Sequence, residues 1–156
     1  AWGLYGFAMC YRLTKDPAYL KQSEGIADFF LNLPNMPEDF VPYWDMKAPG
    51  VDGLQSHVAV DSVPRDASAA ALIASGLYEL CTYITPEKGK RYKSIADKIV
   101  GNLGRHYQAE PGTHYGFLLL HSTGHHPGGS EIDVPLNYAD YFYLEALARK
   151  EALDNQ

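Results

Sequence analysis

The amino-acid sequence predicts an all-α fold in which helix hairpins are arranged in a toroid, and three observations support this prediction. Apolar residues recur at helical spacing in five separate segments. Pro, Gly and Asp cluster between these segments, where they indicate turns and loops. A helix hairpin also occurs more than once along the chain, which is typical of repeat architectures. A simple stack of five helices is the alternative arrangement.

The first hairpin is predicted from residues 1–14 and 17–33. In its first helix, an apolar stripe is predicted from Trp2, Tyr5, Met9 and Leu13. Helical periodicity is already present at the first residue, with no capping residue before it, so the chain is expected to begin within a helix. Asp16 is a predicted N-cap with Pro17 at the first helical position, and the second helix is expected to end before Pro34.

Further helices are predicted over residues 66–83, 86–103 and 135–150, with long loops at residues 34–65 and 104–134 and a frayed tail up to Gln156. The segment GLYGFAMCYRLTKDPAY, from Gly3, resembles GLYELCTYITPEKGKRY, from Gly76. Both begin with Gly-Leu-Tyr and have a tyrosine at the same distance, which predicts that the hairpin recurs after a long loop. The third helix carries mostly Ala, Ser and Gly. It is therefore expected to lie inside the toroid, buried on all sides.

Composition excludes several classes of protein. The 156 residues suffice for one domain, and 46% hydrophobic and 21% charged residues are typical of a globular protein. Without an apolar run of about 20 residues, no membrane partner is predicted. The net charge of -6, with no basic face, argues against a nucleic acid partner. Cys10 and Cys81 are interpreted as packing thiols. The sequence does not distinguish a cytoplasmic from a periplasmic location of the protein.

The segment VPRDASAAALIASG places two charged residues at the start of the third helix. Asp66 is predicted to cap this helix by accepting hydrogen bonds from N–H groups near Ala69. Arg65 is predicted to orient a loop or a carboxylate, or to contact a ligand. If the loops before the first and third helices open at the same end, the helix N-termini converge there. Helix N-termini are favourable anion sites.

Histidines are concentrated in the loop LLLHSTGHHPGGSEID, which contains His121, His125 and His126. The Gly-rich loop has no helical register that would aim two imidazoles at one ion, so no metal site is predicted. Donation of hydrogen bonds by His and Ser to sugar hydroxyls is one interpretation, and an ordinary surface loop is the other. The high content of tyrosine, with 12 residues, suits a carbohydrate cleft but also ordinary packing.

Glycosidic bond chemistry would require two carboxylates that face each other across a cleft. Candidates stand at loop and helix starts, namely Asp45, Asp61, Asp66, Glu131, Asp133 and Asp140. None of them is distinguished by its neighbours in sequence. No catalytic residue is therefore assigned within this chain.

Four strings carry a resemblance to a known family: AWGLYGF, VPYWD, PRDASAAALIASGLYEL and GSEIDVPLNYADYFYLEAL, in that order. Together they resemble the C-terminal part of the unsaturated glucuronyl hydrolases, glycoside hydrolase family 88. The resemblance implies an (α/α)6 barrel of twelve helices, of which this chain supplies about five. Residues 1–156 would form the C-terminal portion of a single barrel domain, and the N-terminal half is the expected partner.

The resemblance also implies an activity and a set of substrate contacts. The family hydrolyses oligosaccharides that end in a C4=C5 unsaturated uronic acid, through protonation and hydration of the vinyl ether and without a cofactor. Its two aspartates would lie upstream of this chain. Trp2 corresponds to a tryptophan of the family's sugar site, and His121 and Ser122 match a region that closes over the substrate. Arg65 is kept as a fourth candidate for substrate binding, and the insertion at residues 47–63 as a candidate cleft rim or subunit contact.

Two alternatives remain open. An unsaturated rhamnogalacturonyl hydrolase would share the barrel and the chemistry but act on pectin fragments. A helical-repeat binding module would have no catalysis, and the lack of a marked pair of acids in the sequence favours it.

Overall fold

The computed structural model describes residues 1–48, 51 and 63–155, and it contains five α-helices. They are α1 (Trp2–Thr14), α2 (Pro17–Leu31), α3 (Ala67–Leu80), α4 (Pro86–Asn102) and α5 (Asn137–Asp154). A π-helical turn, Leu103–Tyr107, follows α4, and two 3-10 turns, His114–Gly116 and His126–Gly128, lie in the loop before α5. Across these described ranges, β structure is limited to isolated bridges. The predicted all-α class and the number of helices are confirmed.

Local capping explains how the first hairpin turns. Lys15 adopts a left-handed conformation, with φ of 60°, and ends α1. Asp16 then accepts a hydrogen bond of 2.9 Å from the N–H of Ala18, and Pro17 occupies the first turn of α2. Both predictions for this turn are confirmed.

The helices form an inner and an outer layer. The central helix α3 packs against α1 on one side and α5 on the other, while α2 covers α1 and α4 covers α3. Every residue of α3 except Ala69 is buried. This burial explains the small side chains of α3, because Ala, Ser and Gly allow four neighbouring helices to approach. The hairpins α1–α2 and α3–α4 therefore place their first helices side by side.

The predicted stripe of α1 is wrong in part. Trp2 and Leu13 are 62% and 72% exposed, whereas the buried residues of α1 are Leu4, Tyr5 and Ala8. The helix is covered from two sides, by α2 and α3, so its buried face is wider than one stripe and is centred elsewhere.

Three predicted helix ends also differ. The third helix was expected to reach residue 83, but α3 ends at Leu80. The tail was expected to fray after residue 150, yet α5 continues to Asp154, whose carboxylate pairs with Lys150 and, at 2.7 Å, with Lys93 of α4. Charged pairs one turn apart stabilise the last turn of a helix. Beyond α4, the backbone continues as the π-helical turn up to Tyr107, because Leu103 and Tyr107 are both buried against the core.

An ionic cluster joins the three inner helices at the end opposite their N-termini. Glu79 of α3 is buried, and its carboxylate lies 2.9 Å from Arg12 of α1 and 2.7 Å from Arg149 of α5. Arg149 also lies 3.3 Å from Glu145, which accepts hydrogen bonds from Tyr5 and Ser75. The cluster fixes the spacing of α1, α3 and α5 at this end.

Candidate functional site

A cleft of about 410 Å³ lies where the inner helices begin. Trp2 stands at the start of α1, Asp66 and Ser68 at the start of α3, and Tyr138 at the start of α5, and all four line it. The loop before α3 supplies the other wall, with Tyr43, Trp44, Asp45 and Met46. The predicted convergence of the inner-helix N-termini is confirmed.

Asp66 caps α3 as predicted. Its carboxylate Oδ1 accepts hydrogen bonds from the N–H groups of Ser68, at 3.0 Å, and Ala69, at 3.3 Å. The N–H of Ala67 donates to the carbonyl of His121 at 3.0 Å, and the N–H of Thr123 reaches Asp66 at 3.4 Å. The first N–H groups of α3 are therefore bonded within the protein.

Arg65 lies behind the cleft wall rather than in the lining. Its side chain is buried, with Nη2 at 2.6 Å and 2.7 Å from the two carboxylate oxygens of Asp39. Tyr107 donates a hydrogen bond of 2.9 Å to Asp39, and the guanidinium stacks on the Tyr43 ring at 5.0 Å. Burial and the negative charge of Asp39 raise the pKa of Tyr107 to about 12, although the positive charge of Arg65 acts in the opposite direction. Arg65 thus orients a carboxylate, and its role in substrate binding stays a prediction.

His121 and Ser122 are neighbours that face different surroundings. The His121 ring is exposed and lies 2.7 Å from Asp133, and its backbone has a φ of 62°. Ser122 is fully buried and pairs with Val134 through two backbone hydrogen bonds of 3.0 Å and 2.9 Å. Its Oγ has no hydrogen-bond partner among the described residues. Thr123 and Gly124, the next residues along, line the cleft. Substrate contact by His121 and Ser122 stays a prediction.

Trp2 is the one predicted substrate-binding residue that lines the cleft. It packs edge to face against Phe142, with ring centroids 5.3 Å apart, while most of its side chain stays accessible. An accessible indole beside polar groups is typical of carbohydrate clefts. The geometry is therefore compatible with its predicted role.

Tyr43 and Trp44 are not among the predicted site residues, although both lie in the cleft wall. The available signal was the string VPYWD, which places two aromatic rings next to a carboxylate in a long loop. Asp45 of this string is exposed at the cleft, and its carboxylate accepts a hydrogen bond of 2.8 Å from the N–H of Lys47. Among the lining residues the charged side chains are acidic, Asp45 and Asp66.

Other candidate carboxylates have structural partners. Asp140 accepts hydrogen bonds of 2.9 Å from the N–H groups of Leu118 and Leu119. Asp133 pairs with His121. Asp61 and most of the insertion at residues 47–63 lie outside the described residues. Over the ranges that the structure does describe, no group of three His, Cys, Asp or Glu side chains could hold a metal ion. No helix within those ranges is long and apolar enough to cross a bilayer.

The chain is similar to known proteins over almost its whole length. No protein-family model matches it. An unsaturated glucuronyl hydrolase of Formosa agariphila is 41% identical over 154 residues, which are 98% of this chain and 36% of the relative. An unsaturated chondroitin disaccharide hydrolase of Streptococcus pneumoniae is 31% identical over 151 residues, or 96% of this chain and 35% of the relative. The chain thus spans about a third of the length of these relatives.

Solved structures show the same similarity. The crystal structure of an unsaturated glucuronyl hydrolase specific for heparin superposes with a TM-score of 0.89 and 44% identity, over 99% of this chain and 39% of that protein. A Streptococcus agalactiae unsaturated glucuronyl hydrolase, solved as an aspartate-to-asparagine mutant complexed with dGlcA-GalNAc6S, superposes with a TM-score of 0.79 and 31% identity. It is matched over 95% of this chain and 37% of that protein. The predicted resemblance and the (α/α)6 type of helix arrangement are confirmed.

Proposed function

We propose that this chain is one part of an unsaturated glucuronyl hydrolase, an enzyme that removes a C4=C5 unsaturated uronic acid from the end of an oligosaccharide. The observation that carries the proposal is the cleft at the N-termini of α1, α3 and α5, in a chain whose fold and sequence match a third of such enzymes. Aromatic rings and carboxylates line this cleft, as sugar recognition requires.

The proposed reaction is hydration of a vinyl ether. A carboxylic acid protonates the double bond, water adds at C5, and the resulting hemiketal opens and releases the neighbouring sugar. We place the acid and an assisting aspartate in the part of the barrel that would precede Ala1. Within this chain, Trp2 and Trp44 would orient the sugar rings, because an indole face packs against the apolar face of a pyranose.

The charge of the cleft bears on the substrate class. Among the described residues that line the cleft, the charged side chains are Asp45 and Asp66, so a sulfate group on a sugar near them would meet like charge. We therefore propose an unsulfated sugar next to the unsaturated uronate. The relatives include one enzyme specific for heparin and several named for chondroitin disaccharides, so both sources supply suitable test substrates.

The test uses the protein from the complete reading frame and follows the ultraviolet absorbance of unsaturated disaccharides from chondroitin and heparin, unsulfated and sulfated. Hydration removes the absorbing double bond, so a steady loss of absorbance, faster for the unsulfated compounds, is expected. Turnover of pectin-derived substrates alone would identify an unsaturated rhamnogalacturonyl hydrolase. Binding of these oligosaccharides without loss of absorbance would identify a binding module and contradict the proposal.

A matched pair of variants tests the contribution of this chain. Trp2 and Leu13 are both exposed apolar residues of α1, but only Trp2 lines the cleft. Trp2→Ala is expected to raise KM about tenfold, which corresponds to about 1.4 kcal/mol of binding. Leu13→Ala, at the other end of the helix, is the control and should leave KM unchanged. Equal kinetics of the two variants would remove Trp2 from the sugar site.

A further inference from the structure

The Trp44 and His126 rings form the closest aromatic pair in the described part of the chain. Their centroids lie 4.0 Å apart, and the ring planes are inclined by only 6°. The other aromatic pairs have centroid distances of 5.0 Å or more, and most of them meet edge to face. A nearly parallel contact at this distance brings the two ring faces into van der Waals contact.

The pair joins two loops that form neighbouring walls of the cleft. Trp44 lies in the loop before α3, and its backbone N–H donates a hydrogen bond of 3.0 Å to the carbonyl of Pro64. His126 opens the 3-10 turn His126–Gly128 in the loop before α5. That turn is closed by the N–H of Gly129, which donates to the carbonyl of His126 at 3.0 Å. The ring contact therefore connects the loop before α3 to the loop before α5.

His126 differs from its neighbours in exposure. Residues 124, 125 and 127–130 are all exposed, whereas His126 is half-buried. The loop is closed on itself by backbone hydrogen bonds from Gly124 to Glu131, at 2.8 Å, and from Ser130 to His125, at 3.3 Å. The contact of His126 with Trp44 joins this loop to the loop before α3.

We propose that His126 is a positioning residue of the cleft, acting through Trp44. Its ring covers one face of the indole and holds Trp44 in one orientation at the cleft wall, whereas Thr123 is held there by its own hydrogen bonds to Arg65 and Asp66. This inference rests on the proposed function, because it assigns the fixed Trp44 ring to the sugar that follows the unsaturated uronate. Preorganisation of a ring and a loop lowers the entropy cost of binding and therefore lowers KM.

The first experiment measures the contact without any substrate. The parent for this experiment is the full-length protein with Trp2→Phe. Any tryptophan outside residues 1–156 is also replaced by Phe, so Trp44 is the single tryptophan left. His126→Ala is expected to shift its emission to longer wavelength, since the indole gains water contact. His126→Phe keeps a flat ring and should keep the emission of the parent. His114→Ala, at an exposed histidine in the other 3-10 turn of the same loop, is the control.

The second experiment measures kinetics with native Trp2. His126→Ala is expected to raise KM about fivefold, about 1 kcal/mol of binding, with kcat within about twofold, and His126→Phe to restore KM. Unchanged emission and KM in His126→Ala would overturn the proposal. So would a KM in His126→Phe as high as that in His126→Ala, because the effect would then depend on the imidazole nitrogens and not on a flat ring. An emission shift in a protein that turns over none of the substrates would leave the contact in place and reject the proposed function instead.

Discussion

Gly76 of α3 packs directly against Leu4 of α1: a Cβ on Gly76 would lie only 2.3 Å from Leu4 Cδ2 and 3.4 Å from the Cα of Tyr5. Leu4 is 1% exposed and belongs to the hydrophobic core, so its side chain can move only by displacing core neighbours. The absence of a side chain at Gly76 therefore sets the distance between two inner helices.

Gly76→Ala is expected to lower the free energy of unfolding by about 2 kcal/mol, because overpacking of a filled core outweighs the higher helix propensity of Ala. Chemical denaturation of the full-length protein measures it. Gly25→Ala in α2 is the matched control, since a Cβ there would meet nothing within 4 Å, and it should raise stability by up to about 1 kcal/mol. A Gly76→Ala protein as stable as the parent would contradict the close packing of α1 on α3.

Ser122→Ala is expected to leave stability unchanged or to raise it by about 1 kcal/mol, because the variant removes a buried hydroxyl that has no partner among the described residues. If the hydroxyl donates to the substrate as predicted, KM will rise in the same variant. Ser23→Ala is the control: Ser23 is equally buried, but its Oγ donates a hydrogen bond of 2.8 Å to the carbonyl of Leu4, so stability should fall by about 1 kcal/mol. Equal stability losses would show that Ser122 also has a partner.

Arg65→Met is expected to lower the free energy of unfolding by about 3 kcal/mol, since it leaves the partly buried carboxylate of Asp39 without its cation. Tyr107→Phe removes one hydrogen bond to the same carboxylate and should cost about 1 kcal/mol. Thermal or denaturant unfolding measures both variants. Retained stability of Arg65→Met with a large rise in KM would show instead that Arg65 contacts substrate.

Asp28 is expected to make stability depend on acid pH. Burial opposes ionisation, but hydrogen bonds of 2.6 Å from Lys88 and 2.6 Å from Tyr92 outweigh it and hold the pKa of Asp28 below its usual value. A lowered pKa contributes stability above the unfolded-state pKa of about 4, and that stability is lost as pH falls through the folded-state pKa. Asp28→Asn should therefore reduce the loss of stability between about pH 5 and pH 2.

Lys88→Met is the partner control for this pH dependence. It removes the cation that favours ionised Asp28, so it should reduce the same slope, and the double variant should show little further change. Denaturant unfolding at several pH values measures all three variants. An unchanged slope in Asp28→Asn would show that other carboxylates account for the acid sensitivity.

The helices and their capping could be predicted from the sequence because these features depend on nearby residues. Asp16 and Asp66 cap helices that begin one residue later, and their side chains accept from N–H groups two or three positions away. The cleft depends on distant contacts instead. Trp44 stacks on a histidine 82 positions away (126 minus 44), and Asp140 is bonded to the N–H groups of residues 118 and 119. Composition and periodicity carry no information about such pairs.

The ionic cluster around Glu79 ties the three inner helices together at the end away from the cleft. Along α3, the distance from Glu79 to Ala67 at the cleft is roughly 18 Å, for a rise of about 1.5 Å per residue. A substitution of Arg12 or Arg149 would leave the buried carboxylate of Glu79 short of a cation at a place that does not line the cleft. Such a variant is therefore expected to lose stability without losing any group that lines the cleft.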